Sequence, residues 1–132
     1  MLRQVALAVL FLAGIAPAAA DDKPAPPLTP VAARTKIGQE ITVEMVVATA
    51  KDRLEKRGEI YLDSELDFRS DKNFAVVITP AGAAQLKEQG LADPAQHFLG
   101  KTIRAKGTVK EVDGVPRIEI DEPKQIEIVK PK

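Results

Sequence analysis

Four basic side chains crowd one short stretch of the sequence, between Lys51 and Gly58. Asp52 and Glu55 are the acids within it, so the stretch is locally basic, and a tyrosine follows shortly after. Basic side chains bind phosphate groups, and an exposed aromatic ring can stack on a base of a single strand. The candidate ligand-binding residues are therefore Lys51, Arg53, Lys56, Arg57 and Tyr61. A loop of mixed charge is equally typical of a solvated surface, and an outward tyrosine often only covers a neighbour, so both interpretations stay open.

Residues that could support catalysis or hold a metal are sparse. His97 is the only histidine, the chain has no cysteine, and His97 lies beside Phe98 rather than near a candidate nucleophile. An acidic stretch from Asp63 to Asp71 has alternate spacing but lacks the glycine and the terminal glutamate of a calcium loop. We therefore predict a protein that is not an enzyme, with no metal site and no cofactor.

The first twenty residues have the organisation of a secretory signal peptide. Arg3 precedes an apolar run from Val5 to Ile15, and Ala18 and Ala20 suit cleavage after Ala20. The apolar run is short for a membrane span. We expect residues 1–20 to be removed and the mature protein to be exported to the periplasm or the extracellular space, without membrane insertion.

The charge of the mature chain limits how it could bind nucleic acid. The sequence has 19 Lys and Arg against 19 Asp and Glu, and loss of the leader removes Arg3, which leaves a net charge of −1. Neutralising phosphates supplies most of the affinity of a dedicated nucleic-acid binder, so any positive potential here must be local.

The remaining chain divides into a spacer and one domain. Four prolines between Asp21 and Pro30 predict a Pro-rich flexible spacer over residues 21–35 that buries little. Residues 36–130 then alternate apolar and polar side chains over five segments that we interpret as strands. Thr79 and Pro80 predict the start of a helix that ends at Gly90, between the third and fourth strands.

The best-patterned segment is the hairpin between Gly100 and Ile120. Ile103 and Val109 share its apolar face, Gly107 predicts a bend, and Asp113-Gly114 predicts a tight turn. This order predicts an all-β fold, a five-stranded Greek-key OB barrel with one helix between strands three and four. An open meander packed against one helix fits the pattern as well.

The outer row of the fourth strand is basic, with Arg104, Lys106 and Lys110. We expect it to form ion pairs with Glu119 and Asp121 of the fifth strand and to aid solubility rather than bind a ligand.

Two segments carry a resemblance to a known family. The sequence "YLDSELDFRSDKNFAVVITP" and the ending "GKTIRAKGTVKEVDGVPRIEIDEPKQIEIV" resemble small bacterial secreted OB-fold domains of the nucleic-acid-binding type. The likeness covers residues 37–129, and its most specific positions are glycines and prolines of the barrel. In OB domains generally, ligands lie on the outer face of strands two and three, which here would carry Tyr61, Asp63, Ala75 and Val77.

Together these observations predict a monomeric binding module for single-stranded nucleic acid or another extended ligand. The alternatives are an oligosaccharide or a peptide in the same place, or an adaptor of the cell envelope that docks an exported protein through Ala75 and Val77.

Overall fold

The computed structural model describes residues 26–130, which form a mostly-β fold. The strands in this range are β1 (Glu40–Val46), β2 (Thr49–Arg53), β3 (Glu59–Asp63), β4 (Ala75–Ile78), β5 (Thr102–Thr108), β6 (Lys110–Val112), β7 (Val115–Ile120) and β8 (Ile126–Ile128). The helices are α1 (Pro30–Ala33), α2 (Leu54–Arg57), α3 (Pro80–Glu88) and α4 (Pro94–Phe98), and a 3₁₀ turn covers Pro123–Gln125. The predicted signal peptide lies outside the described residues.

The strands form two sheets. One has the order β1-β5-β8 and the other β2-β3-β4-β7-β6. The chain passes from the first sheet to the second twice, between β1 and β2 at Val47 and Ala48, and between β5 and β6 at Val109. Because these bends interrupt the ladders, the hydrogen bonds do not close into the single five-stranded barrel that the sequence predicted.

The core lies between the two sheets. Alternate residues of both sheets point inward, and the largest side chains that are fully buried include Phe74, Ile60, Leu62, Ile103 and Ile118. Ile103 and Val109 are buried as predicted. β4 and β7 run parallel, and every residue of β4 is buried.

Gly107 lies where two strands come close together. It continues the β5 ladder opposite Ile41, and the strand ends only after Thr108. A Cβ at Gly107 would come within 2.7 Å of Cγ2 of Ile118. The glycine therefore permits the close approach of β7, and the predicted bend at this position stays a prediction.

Helix α3 and the tight turn form where the sequence predicted them. Thr79 caps α3 through its side chain, Pro80 begins the helix, and Gly90 follows it at a φ of 94°. Asp113 and Gly114 have φ values of 53° and 80° between β6 and β7, as a tight hairpin turn requires. Gly82 of α3 lies directly against the carbonyl oxygen of Ile120, where a Cβ would collide with backbone.

The predicted spacer is partly packed against the domain. Leu28 accepts a hydrogen bond from the backbone of Glu44 at 2.9 Å and donates one to Thr42 at 2.8 Å. Ala33 of α1 is fully buried, and the Arg34 side chain donates to the carbonyl oxygen of Asn73. The ordered domain thus begins before residue 36, because Leu28 and Ala33 supply apolar surface that the proline count concealed.

Two of the three basic residues in the row of β5 and β6 form ion pairs, one of them with an unexpected partner. Lys110 bonds Glu119 of β7 at 3.0 Å, as expected, whereas Arg104 bonds Glu44 of β1 at 2.7 Å. β1, and not β7, is the neighbour of β5 at that height.

None of the helices within residues 26–130 is long and apolar enough to cross a membrane.

Candidate nucleic-acid interface

A groove of about 270 Å³ lies on the outer face of the five-stranded sheet. Strand alternation turns Lys51, Tyr61, Asp63 and Arg117 to this face, because their neighbours Ala50, Ile60, Leu62 and Ile118 belong to the opposite one. The groove is lined by Lys51, Arg53, Arg57, Tyr61, Asp63, Phe68, Ala75, Val112, Asp113, Val115 and Arg117.

Four of the five sequence-predicted site residues come together here. Lys51, Arg53, Arg57 and Tyr61 line the groove, and Lys56 does not. The reason is α2, a one-turn helix in a segment that the sequence analysis treated as a loop. Successive residues of a helix point about 100° apart, so Lys56 and Arg57 cannot face the groove together.

Tyr61 is held from two sides. It lies opposite Lys51 in the ladder, and its hydroxyl donates a hydrogen bond of 2.8 Å to Oε1 of Glu59. The guanidinium carbon of Arg117 lies 5.8 Å from the ring centre, within cation–π range. Partial burial, helped by the bond to Glu59, raises the pKa of Tyr61. The ring is therefore a fixed, half-exposed surface that stays uncharged at neutral pH.

Arg117 is the basic residue at the floor of the groove, and it was not among the candidate residues predicted from the sequence. The residue is 9% exposed, and its Nη1 bonds Oε2 of Glu59 and Oε2 of Glu119, both at 3.3 Å. Its Nε is buried and has no hydrogen-bond partner within residues 26–130. Only the parallel pairing of β4 with β7, which the sequence pattern does not display, brings Arg117 to this position.

Phe68 is the second ring of the groove and was also missed. It is 44% exposed, and Nζ of Lys51 lies 5.0 Å from its ring centre. Asn73 shapes the loop that carries it, because its Nδ2 donates to the carbonyl oxygen of Phe68 at 3.1 Å. The sequence signal was the scarcity of aromatics, which makes an aromatic in a polar loop notable.

Within the described part of the chain, no three acidic or histidine side chains form a group that could hold a metal ion.

Asp63 is a buried carboxylate beneath the basic side chains. Its Oδ1 accepts a hydrogen bond of 2.9 Å from Nδ2 of Asn73. Burial raises the pKa of Asp63, against the opposing effects of the Asn73 bond and of the charges on Lys51 and Arg117. The floor of the groove therefore carries one acid, Asp63, and one base, Arg117, beneath a basic rim.

Ala75 and Val77 do not form an exposed apolar face. They are 4% and 0% exposed, because Tyr61, Glu119 and Arg117 lie beside them in the ladder and cover them. The predicted docking of a protein through these two side chains is therefore not available in this structure.

Comparison with known proteins identifies the fold. No family model and no curated protein matches this chain. A putative aspartyl-tRNA synthetase from Leishmania major Friedlin has a TM-score of 0.51 and 8% identity, over 80% of this chain and 21% of that one. An asparaginyl-tRNA synthetase from Pyrococcus horikoshii has a TM-score of 0.48 and 14% identity, over 74% and 21%. The S. pombe Stn1-Ten1 complex has a TM-score of 0.46 and 13% identity, over 70% and 59%.

The chain spans about a fifth of the length of each synthetase that it matches. At these identities the likeness shows the fold alone. It is an OB-type fold, as the sequence predicted.

Proposed function

We propose that this protein is a non-catalytic, exported, monomeric OB-fold module that binds single-stranded nucleic acid in the groove of the five-stranded sheet. The observation that carries the proposal is the meeting of two aromatic rings, Tyr61 and Phe68, with Lys51, Arg53 and Arg57 around one groove. Stacking rings beside a basic track are what a single strand requires, because bases stack and phosphates bind cations.

The strand order supports the same proposal. We assign β1 with β2, β3, β4, β5 with β6, and β7 with β8 to strands one to five of a Greek-key OB barrel. The groove then lies on strands two and three, between the loops that follow strands one and four. OB folds bind oligonucleotides and oligosaccharides in this place.

The basic rim, formed by Lys51, Arg53 and Arg57, carries positive charges that no ion pair of the described residues compensates. Arg104 and Lys110 are by contrast already paired with Glu44 and Glu119. Of the basic row on β5 and β6, only Lys106 lies outside the ion pairs of residues 26–130, so an approaching phosphate meets more unpaired cations at the groove than along that row.

An oligosaccharide is the second candidate. Asp63 and Asp113 both line the groove, and carboxylates accept hydrogen bonds from hydroxyl groups as readily as from amino groups. A protein adaptor has less support, since Ala75 and Val77 are covered.

Titration of a fluorescently labelled oligothymidylate at several salt concentrations tests the proposal. We expect Tyr61→Ala to weaken binding by roughly 1–3 kcal/mol through the loss of base stacking. Changing Arg53 and Arg57 to Ala should flatten the salt dependence, by up to about 0.7 in slope for each phosphate that the protein no longer neutralises.

The matched control is the double change of Arg104 and Lys106 to Ala, on the outer face of β5, which should alter neither quantity. If the parent protein binds no oligonucleotide at physiological salt and binds a glycan instead, the second candidate replaces the first. If the control pair proves to be the sensitive one, the groove is not the site.

A further inference from the structure

Three residues form one row across the floor of the groove. Asp63 of β3 pairs with Ala75 of β4, and Ala75 pairs with Arg117 of β7. All three line the groove. Neighbouring strands are about 4.8 Å apart, so the Cα atoms of Asp63 and Arg117 are separated by about 10 Å. Ala75, between the acceptor and the donor, contributes only a methyl group to the lining of the groove.

One edge of the Arg117 guanidinium carries both of its ion pairs, and the other edge holds a donor without a partner within residues 26–130. Both of its ion pairs, to Glu59 and to Glu119, use Nη1. The opposite edge carries Nε, which is buried and without a partner within residues 26–130. A buried donor left unpaired destabilises the protein, so an acceptor that a ligand places beside Nε would remove a penalty that the unbound protein carries.

The carboxylate of Asp63 offers the complementary group. Asn73 donates to Oδ1, and the hydrogen bonds of the described residues leave Oδ2 without a donor. This oxygen can accept from an N–H group at the far side of a planar ring. The volume of the groove, about 270 Å³, lies just below the range of about 300–1,000 Å³ typical of sites for larger ligands, and suits one base.

We infer that the floor of the groove selects a guanine base, with Arg117 bonded to its N7 and O6 atoms and Asp63 accepting from its amino edge. Guanine presents two adjacent acceptors, which an arginine contacts with two donors, together with an amino group on its other side. Adenine places its amino group beside N7, so a donor would face Arg117. Thymine and cytosine have no N7. The inference rests on the proposed function, because it names the base that the same groove prefers.

The experiment compares nine-nucleotide, end-labelled DNA strands that differ at one central position. One strand is all thymidine, one has a central guanine, and two have 7-deazaguanine or hypoxanthine in its place. We expect the parent protein to prefer the guanine strand over the thymidine strand by about tenfold, the range of one good two-donor contact. The 7-deaza base, which lacks the N7 acceptor, should lose most of this preference, and hypoxanthine, which lacks the amino group, part of it.

Protein variants give the reciprocal result. Asp63→Asn should reduce the ratio of guanine-strand to thymidine-strand affinity, both measured on the same variant, and remove the difference between guanine and hypoxanthine. Lys106→Ala, outside the groove, should retain every preference. The modified bases test Arg117 without a change in the protein, so a folding defect in an Arg117 variant cannot obscure the result.

The outcomes separate the inference from the function on which it rests. Equal affinity for the guanine and thymidine strands, with binding still weakened in Tyr61→Ala, overturns the guanine site and leaves the proposed function standing. A guanine preference that 7-deazaguanine preserves overturns the role of Arg117. Absence of binding to every strand overturns both.

Discussion

Nη1 of Arg117 forms ion pairs with the carboxylates of Glu59 and Glu119, and these two negative charges reduce the positive potential of the groove. Lys51, Arg53 and Arg57 remain outside the ion pairs of the described residues, whereas Arg117 is compensated by Glu59 and Glu119. Glu59 also accepts the bond from Tyr61, so a single carboxylate links the charge of the floor to the position of the ring.

Glu59→Gln should separate these two roles. The amide oxygen can still accept from the Tyr61 hydroxyl, but one negative charge beside the groove is gone. We expect tighter binding of oligothymidylate at low salt, by about 0.5–1 kcal/mol, with the difference fading as salt screens the charge. Glu44→Gln on the opposite sheet is the control. Weaker binding in Glu59→Gln would mean that the carboxylate, and not its charge, is what the ligand needs.

The buried carboxylate of Asp63 predicts a pH dependence of folding. Its pKa in the folded protein is raised above the ordinary 3.8, so the folded state binds the proton more tightly than the unfolded state. The resulting stabilisation is complete below pH 3.8 and is lost as the pH rises through the raised pKa.

Asp63→Asn cannot titrate, so in urea unfolding the parent should lose stability relative to this variant as the pH rises from below 3.8 through the raised pKa of Asp63. Asp67→Asn is the control of opposite sign, because hydrogen bonding from the backbone of Arg69 lowers the pKa of Asp67. If the stability difference from the parent changed with pH in the same direction for both variants, the raised pKa of Asp63 would be contradicted.

At the scale of elements, the chain changes sheets at Val47, between β1 and β2, and at Val109, between β5 and β6. These two connections place the basic rim and the buried floor of the groove on one sheet. β2 and β6 follow the bends, and they carry Lys51 and Val112 to the two sides of the groove. Helix α3 packs against the carboxyl end of β7, where Gly82 lies against the carbonyl oxygen of Ile120.

Ile103→Ala should cost about 2–5 kcal/mol of unfolding free energy, because Ile103 is fully buried at the centre of the three-stranded sheet. The adjacent exposed residue supplies the comparison, since Arg104→Ala removes one surface ion pair worth less than about 1 kcal/mol. Chemical denaturation measures both. Equal midpoints for Ile103→Ala and the parent would rule out the burial of this face.

Gly82→Ala tests the packing of the helix on the strand. Alanine is favoured over glycine inside a helix by about 1 kcal/mol, so an unhindered site would become more stable. Here the new methyl group meets the carbonyl oxygen of Ile120, and we expect a net destabilisation of about 1–3 kcal/mol. Ala84→Gly, at an exposed position of the same helix, reports the ordinary propensity. A stabilised Gly82→Ala protein would show that α3 does not press against β7.

At the scale of the whole molecule, the sequence predicted what local patterns control. Alternation at Ile103 and Val109, the cap at Thr79 and the turn at Asp113-Gly114 depend on a few neighbouring residues, and they were confirmed. The burial of Arg117 depends on which strands pair, and the docking of Leu28 on a contact with β1. Such contacts between distant residues leave no periodic pattern in the sequence, and for this reason the place of Arg117 in the candidate site became visible only in three dimensions.

Export is the prediction that concerns the chain as a whole. Leu10→Arg would place a charge in the apolar run of the expected signal peptide and should retain the precursor in the cytoplasm. Cell fractionation with amino-terminal sequencing measures this, and the conservative change Leu10→Ile serves as control. Undiminished export of Leu10→Arg would exclude the leader.

The short pairing of Leu28 with β1 also bears on how the protein behaves when it is concentrated. β1 is an outer strand of its sheet, and the bonds to Thr42 and Glu44 occupy backbone groups that another chain could otherwise use. An uncovered outer strand is a template for strand addition between molecules. A chain shortened to begin at residue 36 should keep its groove but associate as its concentration rises, which sedimentation velocity would detect. The proline-rich segment around Leu28 thus protects the edge of β1 from pairing with a second molecule of the same protein.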